Sequence, residues 1–326
     1  MPYSVPEPRL KRSVTLQFQG DWGAANLHRI LGWLSQEIID RTGPHTRIGI
    51  WSGRGGLDSV QAVGRGQVDV ALAVPSAFVP MTLEGKGIAK GEAFPHLRAL
   101  GTMPQTDRLV VAVRAEHGIR SFDDFRRKAP KLRIAGSPDD GINTIGFAAQ
   151  RLMEAAGLPR RRIEEWGGSY IERERPNDCV ALVREGSADA VIHEAIMTQW
   201  WQDLANGADM AFLPVEEETL ATMMLEYRWP RATLPAGYLK GMNEAFTTLD
   251  FSDFLMIARD DLPDDVAHLL AWCMCERREV LERFYAHIKP ERSPVTYPLV
   301  PAKIATTCIP LHPGAERYYR EAKVIP

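Results

Sequence analysis

Two stretches of this chain read alike, and they constrain the fold more than any other feature. Residues 60–74 run VQAVGRGQVDVALAV and residues 180–194 run VALVREGSADAVIHE. Each passes through a short apolar helix, a glycine (Gly66, Gly186), two further residues, an aspartate (Asp69, Asp189) and an apolar strand. Around the first copy, a strand at Val14–Phe18, a helix of about 25–42, a strand TRIGIW at 46–51 and a short helix LDSVQAVG complete a β-α-β-α-β alternation. Such alternation favours a mostly parallel sheet covered by helices. In the predicted helix of 25–42, Leu27, Ile30, Leu31, Leu34 and Ile38 fall on one stripe at helical spacing. Two copies of the unit predict two α/β lobes of related topology.

Long extended segments at 106–119 and 246–265 flank the second copy. They suggest a two-stranded hinge. The expected division is lobe I at 1–107 plus 250–326 and lobe II at 108–249, with two mixed sheets and a small-molecule cleft between the lobes. Domains joined in this way commonly bind ligands between them and close around them.

The 326 residues suffice for two domains. With 45% apolar residues and 25% charged ones, the composition is that of an ordinary globular protein. A net charge of −3 with both signs dispersed argues against a nucleic-acid partner. The densest basic run, PRRRIEEW at 159–166, is followed at once by acids and reads as a solvated face. No apolar run approaches the ~18 residues of a spanning helix, so membrane insertion is not expected. The first residues lack the apolar core of a secretory signal. The chain as it stands is therefore expected in the cytoplasm, or in the periplasm if a leader has been trimmed. Cys179, Cys273, Cys275 and Cys308 show no metal-ligand spacing and read as free thiols. No cofactor or metal is expected, and no nucleophile-elbow, zinc-protease or phosphate-loop motif is present.

The tail IPLHPGAERYYREAKVI (309–325) resembles the carboxy-terminal signature of the TAXI solute-binding receptors, a branch of the TRAP transporters. LPAGYLKGMNEAFTT (234–248), ARDDLPDD (258–265) and GLDSVQAVGRGQVDVALA are similar to that family in the same order. The resemblance spans about residues 13–326. It implies a periplasmic-binding-protein type II fold, a small organic acid as ligand and a TRAP-type permease as partner. The ligand loops depart from the family pattern. QGDWGAANLH brings Asp21, Trp22 and Asn26 where glycine, threonine and tyrosine are usual. Ser52-Gly53-Arg54-Gly55-Gly56 stands where the family resembles Ser-Thr-Gly-Gly-Ser, Ser76 closes a changed strand end, and Asp139-Asp140-Gly141-Ile142 replaces Gly-Ser-Gly-Thr.

These departures define the candidate ligand residues. Arg54 offers a planar fork that takes a carboxylate through two parallel hydrogen bonds. Ser52 and Gly55 flank it. Trp22 offers a stacking face, and Asp21 either caps a helix or pairs with a ligand amine. In the second unit, Ser137, Asp139, Asp140, Gly141, Asn143 and Thr144 form the loop that opens into a helix, a place suited to anions. The two aspartates there either cap the helix or disfavour a dianionic ligand. His193 and Glu194 end a strand on opposite faces, so Glu194 is a candidate for the cleft. His312 reads as part of the structural tail. The leading expectation is a solute-binding protein for a small carboxylate, with aromatic and amino acids among the candidates. The alternatives are an enzyme on the same scaffold acting on a small acid, with Asp21, His193 and Glu194 as acid–base groups, and a cytoplasmic ligand sensor.

Overall fold

The computed structural model describes residues 5–21 and 26–326. The chain divides into two compact units, Met1–Thr106 with Ser252–Pro326, and Asp107–Phe251. The strands in chain order are β1 (Thr15–Gln19), β2 (Arg47–Trp51), β3 (Val70–Ala73), β4 (Leu97–Met103), β5 (Arg108–Arg114) and β6 (Arg133–Gly136). They continue with β7 (Ser169–Glu172), β8 (Ala190–His193), β9 (Met210–Phe212), β10 (Arg231–Leu234), β11 (Phe246–Asp250) and β12 (Phe254–Arg259).

The first unit holds a sheet in the order β2-β1-β3-β12-β4. Strand β1 runs parallel to β2 and β3, and β12 is antiparallel to both β3 and β4. The second holds β10-β11-β5-β8-β6-β7, with β9 also on β5. There β6 runs parallel to β7 and β8, and β5 is antiparallel to β8. Each unit thus has three parallel strands, the first in sequence lying at the centre of the trio, followed by an antiparallel neighbour. The two mixed sheets and the related topology expected from the repeat are both present.

The packing follows the apolar pattern. Leu16 and Phe18 alternate onto one face of β1, and the helix Asn26–Ile39 lays Leu27, Ile30, Leu31, Leu34 and Ile38 into the same core. The helix Asp264–Glu276 is buried on nearly all sides, from Val266 to Cys275, and packs against Pro313–Glu321. The tail is held by Leu311, which bridges to Ala99, and by the Tyr319 hydroxyl, which donates to the Leu100 carbonyl at 2.8 Å. His312 caps the helix Pro313–Glu321, its Nδ1 accepting the Gly314 N–H at 3.1 Å.

The repeated aspartates perform the same task in both units. Gly66 and Gly186 sit at φ of 70° and 78°, in the left-handed region that glycine enters without steric cost. The next two N–H groups turn back onto one helix carbonyl, those of Gln67 and Val68 onto Ala62 and those of Ser187 and Ala188 onto Leu182. Asp69 then takes the Gln17 N–H on its carboxylate at 2.7 Å and donates its own N–H to the Gln17 carbonyl at 2.8 Å. Asp189 does the same with Arg133, at 2.8 Å for each bond. Each aspartate locks the entry to its third strand against a single residue of the central strand, Gln17 in the middle of β1 and Arg133 at the start of β6.

Asp189 carries an addition, a two-pronged pair with the Arg133 guanidinium at 2.7 and 3.0 Å. That pairing holds the Asp189 carboxyl below the usual carboxylate range. The group binds fewer protons folded than unfolded, so its contribution is complete at neutral pH and is lost as pH falls through its lowered folded value. In Asp189→Asn the acid limb of the stability curve should flatten below about pH 4, the ordinary carboxylate range. Asp69→Ala strands the Gln17 N–H and should cost about 1–3 kcal/mol. Urea unfolding followed across pH checks both.

Candidate ligand-binding site

In the first unit, strand β2 ends at Trp51 and the chain turns through Ser52–Gly56 into the helix Leu57–Gly64. The turn is fixed from beneath. Asp58 accepts the Arg54 N–H at 2.8 Å and the Gln19 side-chain amide at 3.0 Å through the same oxygen. A Cβ on Gly53 would lie 2.4 Å from Gln19 Nε2 and 2.6 Å from Asp58 Oδ2, so a larger residue does not fit. Gly55 and Gly56 take φ of 72° and 57° and are buried. The result is an immobilised backbone with Ser52 and Arg54 exposed at its crest. Asp21 is buried directly alongside, its carbonyl accepting the Gly53 N–H at 3.3 Å. Asp21, Ser52, Arg54 and Gly55 are therefore neighbours.

Asn26 and Ser76 serve other contacts. The Asn26 side-chain amide meets the Pro294 carbonyl at 3.4 Å and the Tyr285 hydroxyl, tying the first turn of its helix to the later chain. Ser76 follows a cis Val74–Pro75 bond, and its N–H reaches the Ser252 and Asp253 carbonyls. Trp22 lies outside the described residues.

One residue of this cluster escapes a sequence reading. His28 lies two residues into the helix Asn26–Ile39 and reaches back over Gly20, where a Cβ would fall 2.4 Å from its Nδ1. Its Nδ1 faces Asp21 Oδ1 at 3.7 Å and its Nε2 faces Ser52 Oγ at 3.5 Å. The available signal was the histidine spacing from the loop together with a glycine that must remain bare.

In the second unit the loop after β6 is satisfied from within. Asp140 Oδ1 accepts the N–H groups of Ile142 and Asn143, both at 3.0 Å. Asn143 Oδ1 accepts those of Ile145 and Gly146, also at 3.0 Å. Asn143 is therefore the N-cap of the helix Thr144–Ala155, and the expectation that Asp139 or Asp140 caps it is corrected. Asp140 instead closes the turn before the cap, with Gly141 at φ 84°, and Asp139 pairs with Arg151 at 2.8 Å. Thr144 is buried as the first helical residue. Four N–H groups at a helix start suited to anions are thus occupied by the protein's own side-chain oxygens.

Ser137, His193 and Glu194 meet at the ends of β6 and β8. The Glu194 N–H donates to His193 Nδ1 at 3.0 Å, so Nδ1 is an acceptor and the ring proton sits on Nε2. That proton points at Ser137 Oγ, 2.9 Å away, and Ser137 donates onward to the Glu174 carbonyl at 3.4 Å. Complete burial pushes His193 down to about 3, so the ring is neutral. This tautomer gives Ser137 a donor where an activated nucleophile would need an acceptor. Glu194 is partly exposed and hydrogen-bonds Asp107, whose carboxyl is pushed up by burial and accepts the Ala195 and Ile196 N–H groups at 2.9 and 3.1 Å. Among the described residues no grouping of His, Cys, Asp and Glu has the geometry of a metal site. Among the described residues no helix is long and apolar enough to cross a membrane.

Known structures share this architecture. A periplasmic transporter is 10% identical over 95% of this chain and 94% of its own, with a TM-score of 0.50. The periplasmic binding protein BugD is 13% identical over 95% and 96%, also at 0.50. PhnD1 from Prochlorococcus marinus, solved with methylphosphonate, is 13% identical over 95% and 99%, at 0.49. The fold is that of the periplasmic binding proteins. The model of the NMT1-like family matches residues 34–322, and the chain belongs to that family.

His193 supplies a pH test. An unfolded histidine takes up its proton near pH 6.5, whereas the buried ring does so only near 3. Stability is therefore full above about pH 6.5 and declines as pH falls toward 3, by up to about 1.4 kcal/mol per unit from this residue. His193→Gln should be less stable at pH 8 and show a shallower decline between pH 6.5 and 4.5, measured by urea unfolding.

Proposed function

We propose that this protein is a TAXI-like solute-binding protein that captures a small organic acid and delivers it to a TRAP-type permease. The observation that carries the reading is the loop after β2, where Arg54 stands exposed on a backbone fixed by Asp58 and two buried glycines. In open α/β sheets, ligands bind beyond the carboxyl ends of the parallel strands, and this loop occupies that position in its unit. A guanidinium held there accepts a carboxylate with two charge-assisted bonds. The fold shared with the periplasmic binding proteins and the sequence resemblance to the TAXI receptors support the same reading.

The loop after β6 offers no open helix start to an anion, since Asp140 and Asn143 already fill it. A carboxylate arriving there would have to displace Asp140 and meet like charge.

Differential scanning fluorimetry over aliphatic, hydroxylated and aromatic carboxylates tests this. At least one monocarboxylate should raise the melting temperature, and Arg54→Ala should weaken its binding about ten- to a hundred-fold, the scale of a lost charge-assisted contact. A protein that responds to no acid, or an Arg54→Ala variant that binds as tightly as the parent, refutes the reading.

A further inference from the structure

We propose that Asp21, His28 and Ser52 form a hydrogen-bond-accepting subsite that selects acids bearing a hydroxyl or amine on the carbon next to the carboxylate. The inference rests on the reading of Arg54 as the carboxylate anchor and adds a second point of recognition, carried by a residue that neither the loop pattern nor the repeat singles out.

The three groups are arranged in depth. The Asp21 side chain is 9% exposed, the His28 side chain 18%, and Ser52 stands at the surface. The imidazole has its place because Gly20 leaves room for it, since a Cβ there would overlap the ring at 2.4 Å. Its Nδ1 points at the Asp21 carboxylate, 3.7 Å away. At that distance no hydrogen bond forms, but the carboxylate favours the ring tautomer with its proton on Nδ1 and the lone pair on Nε2. The outward side is where Ser52 Oγ stands, 3.5 Å from Nε2.

That separation matters. At 3.5 Å the hydroxyl and the ring lie at the outer limit of a hydrogen bond, so the pair holds unspent accepting capacity at the surface. A ligand hydroxyl or ammonium placed over the pair donates to His28 Nε2 and sits within reach of Ser52 Oγ. Arg54 is two residues further along the same fixed turn, at most about 7 Å from Ser52 between Cα atoms. The carboxylate and the 2-substituent of one small acid are adjacent groups, matching an arginine and an acceptor pair on one short loop. The contrast with His193 is direct. There a backbone N–H on Nδ1 turns the Nε2 proton toward Ser137. Here a carboxylate 3.7 Å from Nδ1 favours a lone pair on the nitrogen that faces Ser52.

The subsite discriminates because a partly buried acceptor left unpaired is costly, so analogues lacking the donor are rejected more strongly than one lost bond implies. Isothermal titration with matched pairs tests it: lactate against propionate, mandelate against phenylacetate, and alanine as the amine arm. The hydroxylated or the aminated member should bind at least ten-fold more tightly than its plain analogue. His28→Phe and Ser52→Ala should each weaken the hydroxylated or aminated acid more than its plain analogue and so remove most of that preference. Circular dichroism melts confirm that each variant is folded, and His28→Gln, which restores an acceptor, should recover part of the preference. Equal binding of paired acids to the parent protein, or a preference unchanged in both His28→Phe and Ser52→Ala, overturns the subsite. Arg54→Ala separates the two readings, because it weakens binding of both members of a pair about ten- to a hundred-fold if the anchor is right, whatever the outcome at His28.

Discussion

The contact on which each unit depends is the aspartate that bonds twice to one backbone residue. A parallel strand has no tight hairpin to fix its register, since its neighbours arrive by crossover helices. A slip of one residue would turn every side chain to the opposite face. Asp69 removes that freedom by engaging both the N–H and the carbonyl of Gln17, and Asp189 does so with Arg133. With β1 registered against β3, Leu16 and Phe18 point to the helix Asn26–Ile39, while Gln17 and Gln19 point to the other face. Gln19 then reaches Asp58, and Asp58 sets the loop bearing Arg54. The position of that loop follows from a carboxylate at the opposite end of the sheet.

Features carried by local periodicity were legible in the sequence. The stripe Leu27, Ile30, Leu31, Leu34 and Ile38 is buried as its spacing requires, and the repeated glycine–aspartate units occupy corresponding places. Features decided by distant contacts were not. Asp139, Asp140 and Asn143 have equal title to a helix cap by propensity. What selects Asn143 is the approach of the helix to the preceding loop: a Cβ on Gly146 would lie 2.0 Å from the Pro138 carbonyl, so only glycine permits the chain to fold back so closely. His28 acquires its meaning from Gly20, Asp21 and Ser52, which no pattern in the primary structure connects. The stretch 246–265 read as one extended segment is two strands, broken where Asp253 takes φ 71° beside the boundary between units.

The loop after β6 shows how a helix start can be closed to anions without changing the frame around it. A helix start whose N–H groups are open is a general receptor for anions. Filling it with Asp140 and Asn143 removes that receptor and keeps the backbone satisfied, so the strands and helices need no adjustment. On the proposed reading the positive end of recognition falls to a side chain, Arg54, in place of backbone dipoles. A guanidinium is selective for planar two-oxygen groups, whereas a ring of N–H groups binds any compact anion.

The two histidines near the loops illustrate how a neighbour sets the chemistry of an identical ring. His193 is fully buried, neutral and oriented by a peptide N–H, and its one free proton is spent on Ser137. Both ring nitrogens are answered within the protein, so the ring braces the ends of β6 and β8. His28 is partly exposed, with a carboxylate 3.7 Å from one nitrogen and a serine hydroxyl 3.5 Å from the other. A structural histidine is one whose two nitrogens are both answered within the protein, whereas one with a nitrogen turned to an exposed, incompletely paired hydroxyl is built to be completed from outside. The sequence reading weighed His193 for acid–base chemistry only in its enzyme alternative and did not single out His28, and the contacts each ring makes separate the two.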